Sequence, residues 1–500
     1  MKKIYLFSLL LLIFSACSDL NEAIIDDPTN SQITPKSAGD GVYDVLGYGY
    51  DVTAEYLHPK AVKFQVLDIE KYKKDYPTRL DVGTSSWGYD YMYYGYSSED
   101  YLGNMQKELD VKTGGNYLAF SGTFNASGSF KSNYEYSSKY SFASVDAIRN
   151  KKYIRINDEI DRLSKYLSSH FIEDLTKLSA DRLVEKYGTH ILTDFTIGGR
   201  YKILYRSVIE HSKDETTKKI TVASGAKFTI KAVGINVDNE GSIETSETYV
   251  KDNTQKELFI MFYGGNGTNL KYDLEKGMPT SVDLAAWENA VKLDNSTLTD
   301  INWKETYMIY DFIDDPVKKV AIKTAVENHI KNNQLNMLEV LPVYSSIRLG
   351  KISGQKEYLT RVTSSAEDLP SASGQPMYTY LYEKLDGYVL RDPLSGTVPL
   401  YNSFYWNSSK RTRENFFFST QIIKSFPGGR DVPEGWYTIT RNPVGYVYPN
   451  LHEMTKPLYE YRNSKSNCIN STRIDFTQVE PKEGWRIART TGYIFPASLN

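Results

Sequence analysis

Two stretches of the chain alternate between apolar and polar residues. In residues 117–130 the even-numbered positions are mainly apolar and the odd-numbered positions mainly polar, and residues 220–232 repeat this parity. A period of two is typical of a β-strand with one apolar face. The pattern therefore predicts two amphipathic strands. Their apolar residues are Leu118, Phe120, Phe124 and Phe130 in the first and Ile220, Val222, Phe228 and Ile230 in the second, while Lys227 and Lys231 share the polar face of the second.

Helical spacing separates the two stretches. Apolar residues recur every three or four positions in residues 157–186, and Ser179 has the character of a helix N-cap. The region 281–341 is predicted to be mainly helical, with its last helix over residues 317–335. Three further strands are predicted, over residues 153–156, 197–209 and 256–263.

The character of the chain changes beyond Pro342, where Pro, Gly and aromatic residues are frequent and no helix is indicated. Short motifs recur in this region. They are Gly387-Tyr388-Val389, Gly445-Tyr446-Val447 and Gly492-Tyr493-Ile494, then Pro399-Leu400-Tyr401 and Pro457-Leu458-Tyr459, then Gly435-Trp436 and Gly484-Trp485. The repetition predicts a threefold pseudo-symmetric all-β module, and a β-trefoil-like arrangement is the first expectation for it.

The N-terminus has the features of an export signal. Lys2 and Lys3 precede an apolar run, and the small residues Ser15 and Ala16 stand before Cys17. This end resembles a bacterial lipobox, so Cys17 is the expected site of lipid attachment. We expect residues 1–16 to be a signal peptide and residues 17–40 a polar tether. The predicted localisation is an exported outer-membrane lipoprotein, exposed at the surface or released.

Composition and motifs exclude several classes of function. The 500 residues carry a net charge of −3, which gives no reason to expect a nucleic-acid partner. The 41 tyrosines favour β-rich structure. The six histidines do not cluster, and the sequence contains no nucleophile elbow, zinc-protease motif or phosphate-binding loop. No enzyme activity, cofactor or metal is therefore expected, and a glycosidase built on buried acidic residues is the one catalytic alternative left open.

A short motif between the two alternating stretches gives a family resemblance. Tyr187-Gly188-Thr189-His190 is followed by Ile191, six further residues and Gly198-Gly199. This spacing resembles the signature of the membrane attack complex/perforin (MACPF) family, from which Ile191 departs where an aromatic residue is usual. The resemblance identifies a MACPF domain over residues 41–342, followed by a C-terminal domain over residues 343–500.

The resemblance implies an α+β fold in which helical clusters flank a bent antiparallel central sheet. The signature would lie at the base of that sheet, with Gly198 and Gly199 at a hinge and His190 in a structural role. The two alternating stretches would pack as helices in the monomer and refold into membrane hairpins, with Lys227 and Lys231 facing the lumen. Because a bilayer tolerates no open sheet edge, a pore also requires a ring of identical subunits.

The predicted function is therefore that of a pore-forming toxin acting on the lipids of a target membrane, either of competing bacteria or of host cells. A non-lytic surface lipoprotein that binds glycans or mediates adhesion is the alternative, because soluble half-buried strands alternate in the same way. The C-terminal module is placed to recognise a glycan or a surface receptor. Its candidate contacts are Tyr401, Trp436, Tyr459 and Trp485, for which packing inside the repeats is the competing role.

Overall fold

A computed structural model describes most of the chain beyond its N-terminus. The described residues are 41–125, 130–209, 213–234, 246–277, 284–350, 354–362, 378–427, 432–473 and 484–499. The predicted signal peptide, tether and lipid-attachment residue Cys17 lie outside them. Among the described residues, no helix is both long enough and apolar enough to cross a membrane.

Strands and helices are mixed through the first two thirds of the chain. The strands are β1 (Tyr48–Tyr50), β2 (Val62–Gln65), β3 (Leu80–Thr84), β4 (Gly88–Gly95), β5 (Tyr140–Ile156), β6 (His190–Ile191), β7 (Asp194–Val208), β8 (Thr254–Tyr263), β9 (Leu270–Asp273), β10 (Thr297–Ile301) and β11 (Tyr307–Met308). The α-helices are α1 (Ile69–Asp75), α2 (Ser98–Leu109), α3 (Gly122–Asn125), α4 (Ile160–Leu163), α5 (Ser169–Lys177), α6 (Ala180–Tyr187), α7 (Glu215–Ala232), α8 (Glu247–Lys251), α9 (Leu284–Ala290) and α10 (Pro316–Asn332).

The long antiparallel strands β5 and β7 form the centre of the main sheet. At one end of the pair the neighbours are β4 and β8, with β9 beyond β8. At the other end the neighbours are β3 and β10. The change of partners occurs where β5 has a bulge between Asn150 and Lys152, opposite Gly198. The sheet therefore consists of two halves that share only its two central strands.

The two faces of this sheet pack against different parts of the chain. One face carries Val145, Ile203 and Ile260, which form an apolar cluster with Val222 and Ile230 of α7. The opposite face carries Phe142, Leu204 and Phe259 and packs under the largest apolar cluster of the protein. Residues 96–139 connect β4 to β5 and residues 209–253 connect β7 to β8. We call them the first and second connecting segments.

The predicted helices over residues 157–186 and 317–335 are confirmed as α4 to α6 and as α10. Ser179 caps α6, where its side chain accepts a hydrogen bond from the backbone N–H of Arg182. The strands predicted over residues 153–156, 197–209 and 256–263 are also confirmed, within β5, β7 and β8.

The alternation in residues 220–232 does not give a strand in this structure, because these residues belong to α7, the helical state that the family resemblance implies for the monomer. Val222, Ala226 and Ile230 point into the same apolar cluster. Residues four apart share a face in a helix and also share a face in a strand, so these side chains satisfy both patterns. The alternation of apolar and polar residues over 220–232 therefore does not distinguish a helix from a strand.

The alternation in residues 117–130 does not give a strand in this structure either. Its described residues form a loop and the short helix α3, and Phe120 has a φ of +63°, which no regular strand adopts. Phe120, Phe124 and Phe130 are buried in the largest apolar cluster. Burial against the sheet explains their apolar character in this state.

The predicted threefold all-β module is confirmed. Its strands are β12 (Val340–Gly350), β13 (Lys356–Val362), β14 (Tyr378–Leu390), β15 (Val398–Asn407), β16 (Thr412–Ser419), β17 (Gly435–Thr438), β18 (Gly445–Val447), β19 (Lys456–Arg462), β20 (Cys468–Ser471) and β21 (Arg486–Pro496). Its strands form three antiparallel groups, centred on β12, β15 and β19, and the pairs of β14 with β18 and with β21 join the groups into one ten-stranded sheet. The β-trefoil-like arrangement of the three groups stays a prediction.

The strand register shows an equivalent proline–tyrosine pair in each of the three repeats. Pro399 lies opposite Tyr446 and Pro457 lies opposite Tyr493, as the sequence motifs suggest. Pro342 lies opposite Tyr388 in the same way, so residues 342–344 are the third copy of the Pro-x-Tyr motif. The residues that follow the three prolines are buried together in one core, and these are Val343, Leu400 and Leu458.

Candidate functional site

The signature residues lie in a small four-stranded sheet, in the order β11, β6, β1, β2. Helix α6 ends at Tyr187, and Gly188 reverses the chain with a φ of +78°. A Cβ on Gly188 would lie 2.7 Å from the carbonyl carbon of Tyr50. Gly49 makes the reciprocal approach, since a Cβ there would overlap the carbonyl oxygen of Tyr187. Two glycines are therefore needed where α6 crosses β1, and sequence analysis found only one of them.

Thr189 and His190 join the signature to its neighbours. The Thr189 hydroxyl accepts a hydrogen bond from the backbone N–H of Val52 and lies 2.9 Å from Nδ1 of His190. Nε2 of His190 lies 3.0 Å from the carbonyl oxygen of Lys112. A carbonyl oxygen only accepts, so Nε2 carries the proton. The imidazole also packs edge-on against Trp303. These contacts give His190 a structural role and leave it 1% exposed.

Burial lowers the pKa of His190 to about 4, although the Lys112 carbonyl and Asp51 act in the opposite direction. A histidine that is protonated more readily in the unfolded chain adds stability above pH 6.5, and this is lost as the pH falls towards 4. We expect protonation of this group to lower the unfolding free energy by about 3 kcal/mol when the pH falls from 7 to 4. Urea denaturation of the native protein and of His190→Gln at both pH values measures it. An equal loss of stability in both proteins would contradict the prediction.

A second buried contact ties α10 to β1. Nε2 of His329 lies 3.0 Å from Oδ2 of Asp51, whose other oxygen accepts a hydrogen bond of 2.7 Å from the Thr53 hydroxyl. Burial alone would raise the pKa of Asp51, but His329, together with Lys63 and Thr53, holds this pKa below its usual range. The strand beside the signature is therefore fixed by side chains from distant parts of the chain.

Gly198 and Gly199 lie where β7 changes partners. A Cβ on Gly198 would overlap the Arg149 carbonyl oxygen, and one on Gly199 would lie 2.5 Å from Cγ2 of Val291. Neither glycine is in the left-handed region, so the requirement is for space and not for an unusual backbone angle. Their place between the two halves of the sheet is compatible with the hinge that the resemblance implies, which stays a prediction.

The second connecting segment is held on the sheet by one buried amide. Nδ2 of Asn253 donates to the carbonyl oxygens of Thr221 and Tyr249, at 2.9 and 2.7 Å, and its Oδ1 accepts from the Ser207 hydroxyl at 2.6 Å. Asn253 thus joins α7, α8 and β7. Gly225 makes room for it, because a Cβ there would lie 2.5 Å from Cγ of Asn253. Nothing in the local sequence pattern marks Asn253 or Gly225.

The membrane candidates of the second segment have different surroundings in α7. Val222 and Ile230 are fully buried, whereas Phe228 is 58% exposed. Lys227 is half-buried and Lys231 is exposed. Seven of the 18 residues of α7 are β-branched, which favours a strand over a helix. Packing on the sheet, not intrinsic propensity, therefore keeps this segment helical.

Three buried cations lie along β7, and Arg206 among them contacts the first connecting segment. Arg200 pairs with Asp146 at 3.1 Å and Lys202 with Glu55 at 3.3 Å. Arg206 donates to the backbone of Glu135 in the segment, and its guanidinium lies 5.2 Å from the ring of Phe130. The segment is thus packed by charge as well as by apolar contact.

The C-terminal module touches the end of the first segment. The ring of Tyr134 stacks on Phe495 with centroids 4.4 Å apart, and its hydroxyl donates to the Pro496 carbonyl oxygen at 2.5 Å. The Lys139 ammonium donates to the Ala497 carbonyl oxygen at 2.8 Å. Movement of this segment would therefore break contacts with the C-terminal strand β21.

The four candidate glycan contacts lie in different surroundings. Leu400 and Leu458 lie in the module core, so the adjacent Tyr401 and Tyr459 lie on the opposite sides of their strands. Trp436 packs against Tyr405 and Phe417 of its own repeat. Trp485 packs against Tyr358 of the first repeat, in the same apolar cluster that Tyr459 contacts. The two tryptophans therefore contribute to packing within and between repeats.

Three solved structures with a similar fold differ widely in sequence. A protein from Bacteroides thetaiotaomicron with a MAC/Perforin domain is 19% identical, with 67% of this chain and 70% of that chain covered and a TM-score of 0.46. GNIP1Aa from Chromobacterium piscinae is 17% identical, with 86% and 85% covered and a TM-score of 0.47. Astrotactin-2, a vertebrate protein, is 13% identical, with 80% and 67% covered and a TM-score of 0.28.

No curated protein matches the chain. The model of the MAC/Perforin domain, in contrast, matches residues 33–339, which is more than half of the sequence and includes the signature, the central sheet and both connecting segments. The chain belongs to the MAC/Perforin domain family.

Proposed function

We propose that this protein is an exported lipoprotein, anchored through Cys17, that assembles into a ring on a target membrane and opens a pore. In each subunit the two connecting segments would leave the sheet and extend as two hairpins continuous with β4 and β5 and with β7 and β8. The proposal assigns no catalytic activity to the protein. The observation that carries it is the register of β5 and β7.

Strands β5 and β7 pair without interruption from Tyr140 opposite Val208 to Asn150 opposite Gly198. The two residue numbers of each pair add to 348 throughout this stretch. The first segment ends where β5 begins, and the second segment begins where β7 ends. Extending both strands at this end therefore draws one strand from each segment and pairs the two directly.

The same register brings the two alternating stretches opposite each other. With no residue inserted in either strand, Phe124 falls opposite Ser224, Phe120 opposite Phe228 and Leu118 opposite Ile230. Because the sum of each pair is even, even-numbered residues face even-numbered residues. Two patterns recognised separately in the sequence thus match in position and in the side of the sheet on which their apolar residues lie. Lys227 and Lys231 fall on the polar side.

The geometry of a bilayer fits this arrangement. A membrane strand needs about 9 to 11 residues with one apolar face, and the two stretches, of 14 and 13 residues, are long enough. A lysine on the lipid face near the midplane would cost about 2 to 4 kcal/mol, which the parity of Lys227 and Lys231 avoids. Two hairpins leave open edges, so identical neighbours must close them.

A cysteine pair tests the register. In the folded monomer, Phe120 packs on one face of the central sheet and α7 on the other, so Phe120→Cys and Phe228→Cys cannot form a disulfide. We expect the disulfide to form after incubation with leaking vesicles, and non-reducing electrophoresis detects it. Cys468 does not compete, since burial raises its pKa to about 12.

The matched control is Phe120→Cys with Lys227→Cys, which the register places on opposite sides of the strands. Crosslinking of the control pair, or leakage with no crosslink in the first pair, would refute the register. Binding of cells without leakage would favour the alternative function, a surface lipoprotein for adhesion.

A further inference from the structure

Charge is divided unevenly between the two parts of the chain. Residues 340–500 contain 19 Lys and Arg against 14 Asp and Glu, whereas the whole chain has a net charge of −3. The C-terminal module is therefore basic and the remainder acidic. The positions of its lysines and arginines decide whether this excess of positive charge is concentrated on one surface of the module.

One end of the module is occupied by the MAC/Perforin domain. Tyr388 and Phe495 pack on Tyr134, and Arg391 pairs with Glu339 at 3.0 Å. These residues belong to the ends of β14 and β21 and to the loop after β14. In the other two repeats, the equivalent strand ends are the start of β15 with the end of β18 and the start of β19 with the end of β21. They lie on the same side of the module as the MAC/Perforin domain.

The opposite end consists of the ends of β12, β15 and β19, the turns after β15 and β19, and the starts of β14, β17 and β21. Contacts between repeats show that these parts are neighbours. The Arg462 guanidinium at the end of β19 lies 5.3 Å from the ring of Trp436 at the start of β17. We call this surface the far end of the module.

Cations dominate the far end. Arg411 lies at the turn between β15 and β16. Arg413 lies at the start of β16, with its guanidinium 5.0 Å from the ring of Phe404. Lys465 lies between β19 and β20, and Arg486 and Arg489 lie at the start of β21. All five are exposed. Within the described residues, Arg411, Arg413 and Arg486 have no carboxylate within ion-pair distance.

Two acidic residues of the far end pair with cations, whereas the exposed Glu434 accepts hydrogen bonds from the hydroxyls of Tyr405 and Ser408. Glu460 is 1% exposed and lies between Arg462 at 2.6 Å and Arg489 at 2.7 Å. Glu414 pairs with Lys410 at 3.2 Å. One buried carboxylate thus meets two guanidinium groups, which leaves a net positive surface.

We infer that the far end of the C-terminal module docks on an anionic membrane through the phosphates of its lipid headgroups. Cations on separate turns of one blunt end suit a flat array of phosphates, and guanidinium groups bind phosphate through paired hydrogen bonds. The inference rests on the proposed function only in that a pore former must first reach a membrane. Docking itself requires no hairpin.

Co-sedimentation of the full chain with phosphatidylcholine vesicles, with and without phosphatidylglycerol, tests the inference. The variant combines Arg411→Gln, Arg413→Gln and Arg486→Gln. We expect binding only when phosphatidylglycerol is present, and a loss on the order of a hundredfold in the variant, from roughly fivefold for each cation near an anionic surface. Added salt should weaken binding of the native protein and have little effect on the variant.

The matched control removes the same charge from α10 by Lys318→Gln, Lys323→Gln and Lys331→Gln, and it should bind as the native protein does. An equal loss of binding in both variants would show that only the net charge of the protein matters, and it would overturn the inference. Binding that ignores phosphatidylglycerol, or that needs a glycan on the vesicle, would also overturn it. Dye release from the same vesicles separates the two proposals, since native protein that binds without release refutes the pore and leaves the docking surface intact.

Discussion

Replacing Gly49 by alanine is expected to lower the unfolding free energy by about 5 kcal/mol or more, the range reached only by the most disruptive single substitutions. A Cβ at this position would overlap the carbonyl oxygen of Tyr187 and lie 2.7 Å from its carbonyl carbon. Both are backbone atoms, so no side-chain movement relieves the overlap. Strand β1 would have to shift, and its pairs Gly49 with Ile191 and Tyr50 with His190 would be lost. Urea denaturation measures the change.

Gly103→Ala is the matched control. Gly103 lies inside α2, where the nearest atom to an added Cβ is 3.7 Å away, an ordinary contact. Alanine is favoured over glycine in a helix by about 1 kcal/mol, so this variant should be slightly more stable than the native protein. A Gly49→Ala protein as stable as the native one would show that the crossing of α6 and β1 is not tight.

Local patterns predicted much of the fold because their causes are local. The spacing that gives α4 to α6 and the cap at Ser179 depend on neighbours within two turns. The repeats around Tyr446 and Tyr493 are equally visible in sequence. The signature could be read without knowing its contacts, since Gly188 is required by the turn that it makes.

The remaining features depend on partners far away in sequence. The region 281–341 was predicted to be mainly helical, yet residues 297–301 form β10 because they pair with β7. Gly49 is needed only because Tyr187 crosses it. α7 is helical because its apolar residues meet the sheet, and a strand would present the same residues on one side. Distant contacts select between conformations that the local pattern allows.

Release of α7 therefore depends on how firmly it is attached. Its β-branched residues and Gly225 give it little helical stability of its own. Its attachment combines the apolar cluster with the three hydrogen bonds of Asn253. Of these, the amide is the part that a single substitution removes without emptying the apolar core.

Asn253→Ala is expected to destabilise the attachment of α7 by about 4 kcal/mol. It removes three buried hydrogen bonds and leaves the Ser207 hydroxyl without its partner, at about 1 to 3 kcal/mol for each buried group left unpaired. We expect faster hydrogen exchange throughout α7 and unchanged exchange in α6, which Asn253 does not touch. If detachment of α7 limits insertion, dye release from vesicles should also become faster.

Asn333→Ala is the control for Asn253→Ala. Asn333 also donates to a helix carbonyl, that of His329 at 2.8 Å, but it is exposed at the end of α10, so water replaces the lost bond and the cost should stay below about 0.5 kcal/mol. Slower dye release together with faster exchange in Asn253→Ala would mean that α7 must stay docked for the pore to form, which contradicts the proposed refolding. Unchanged exchange would show that the apolar cluster alone holds the helix.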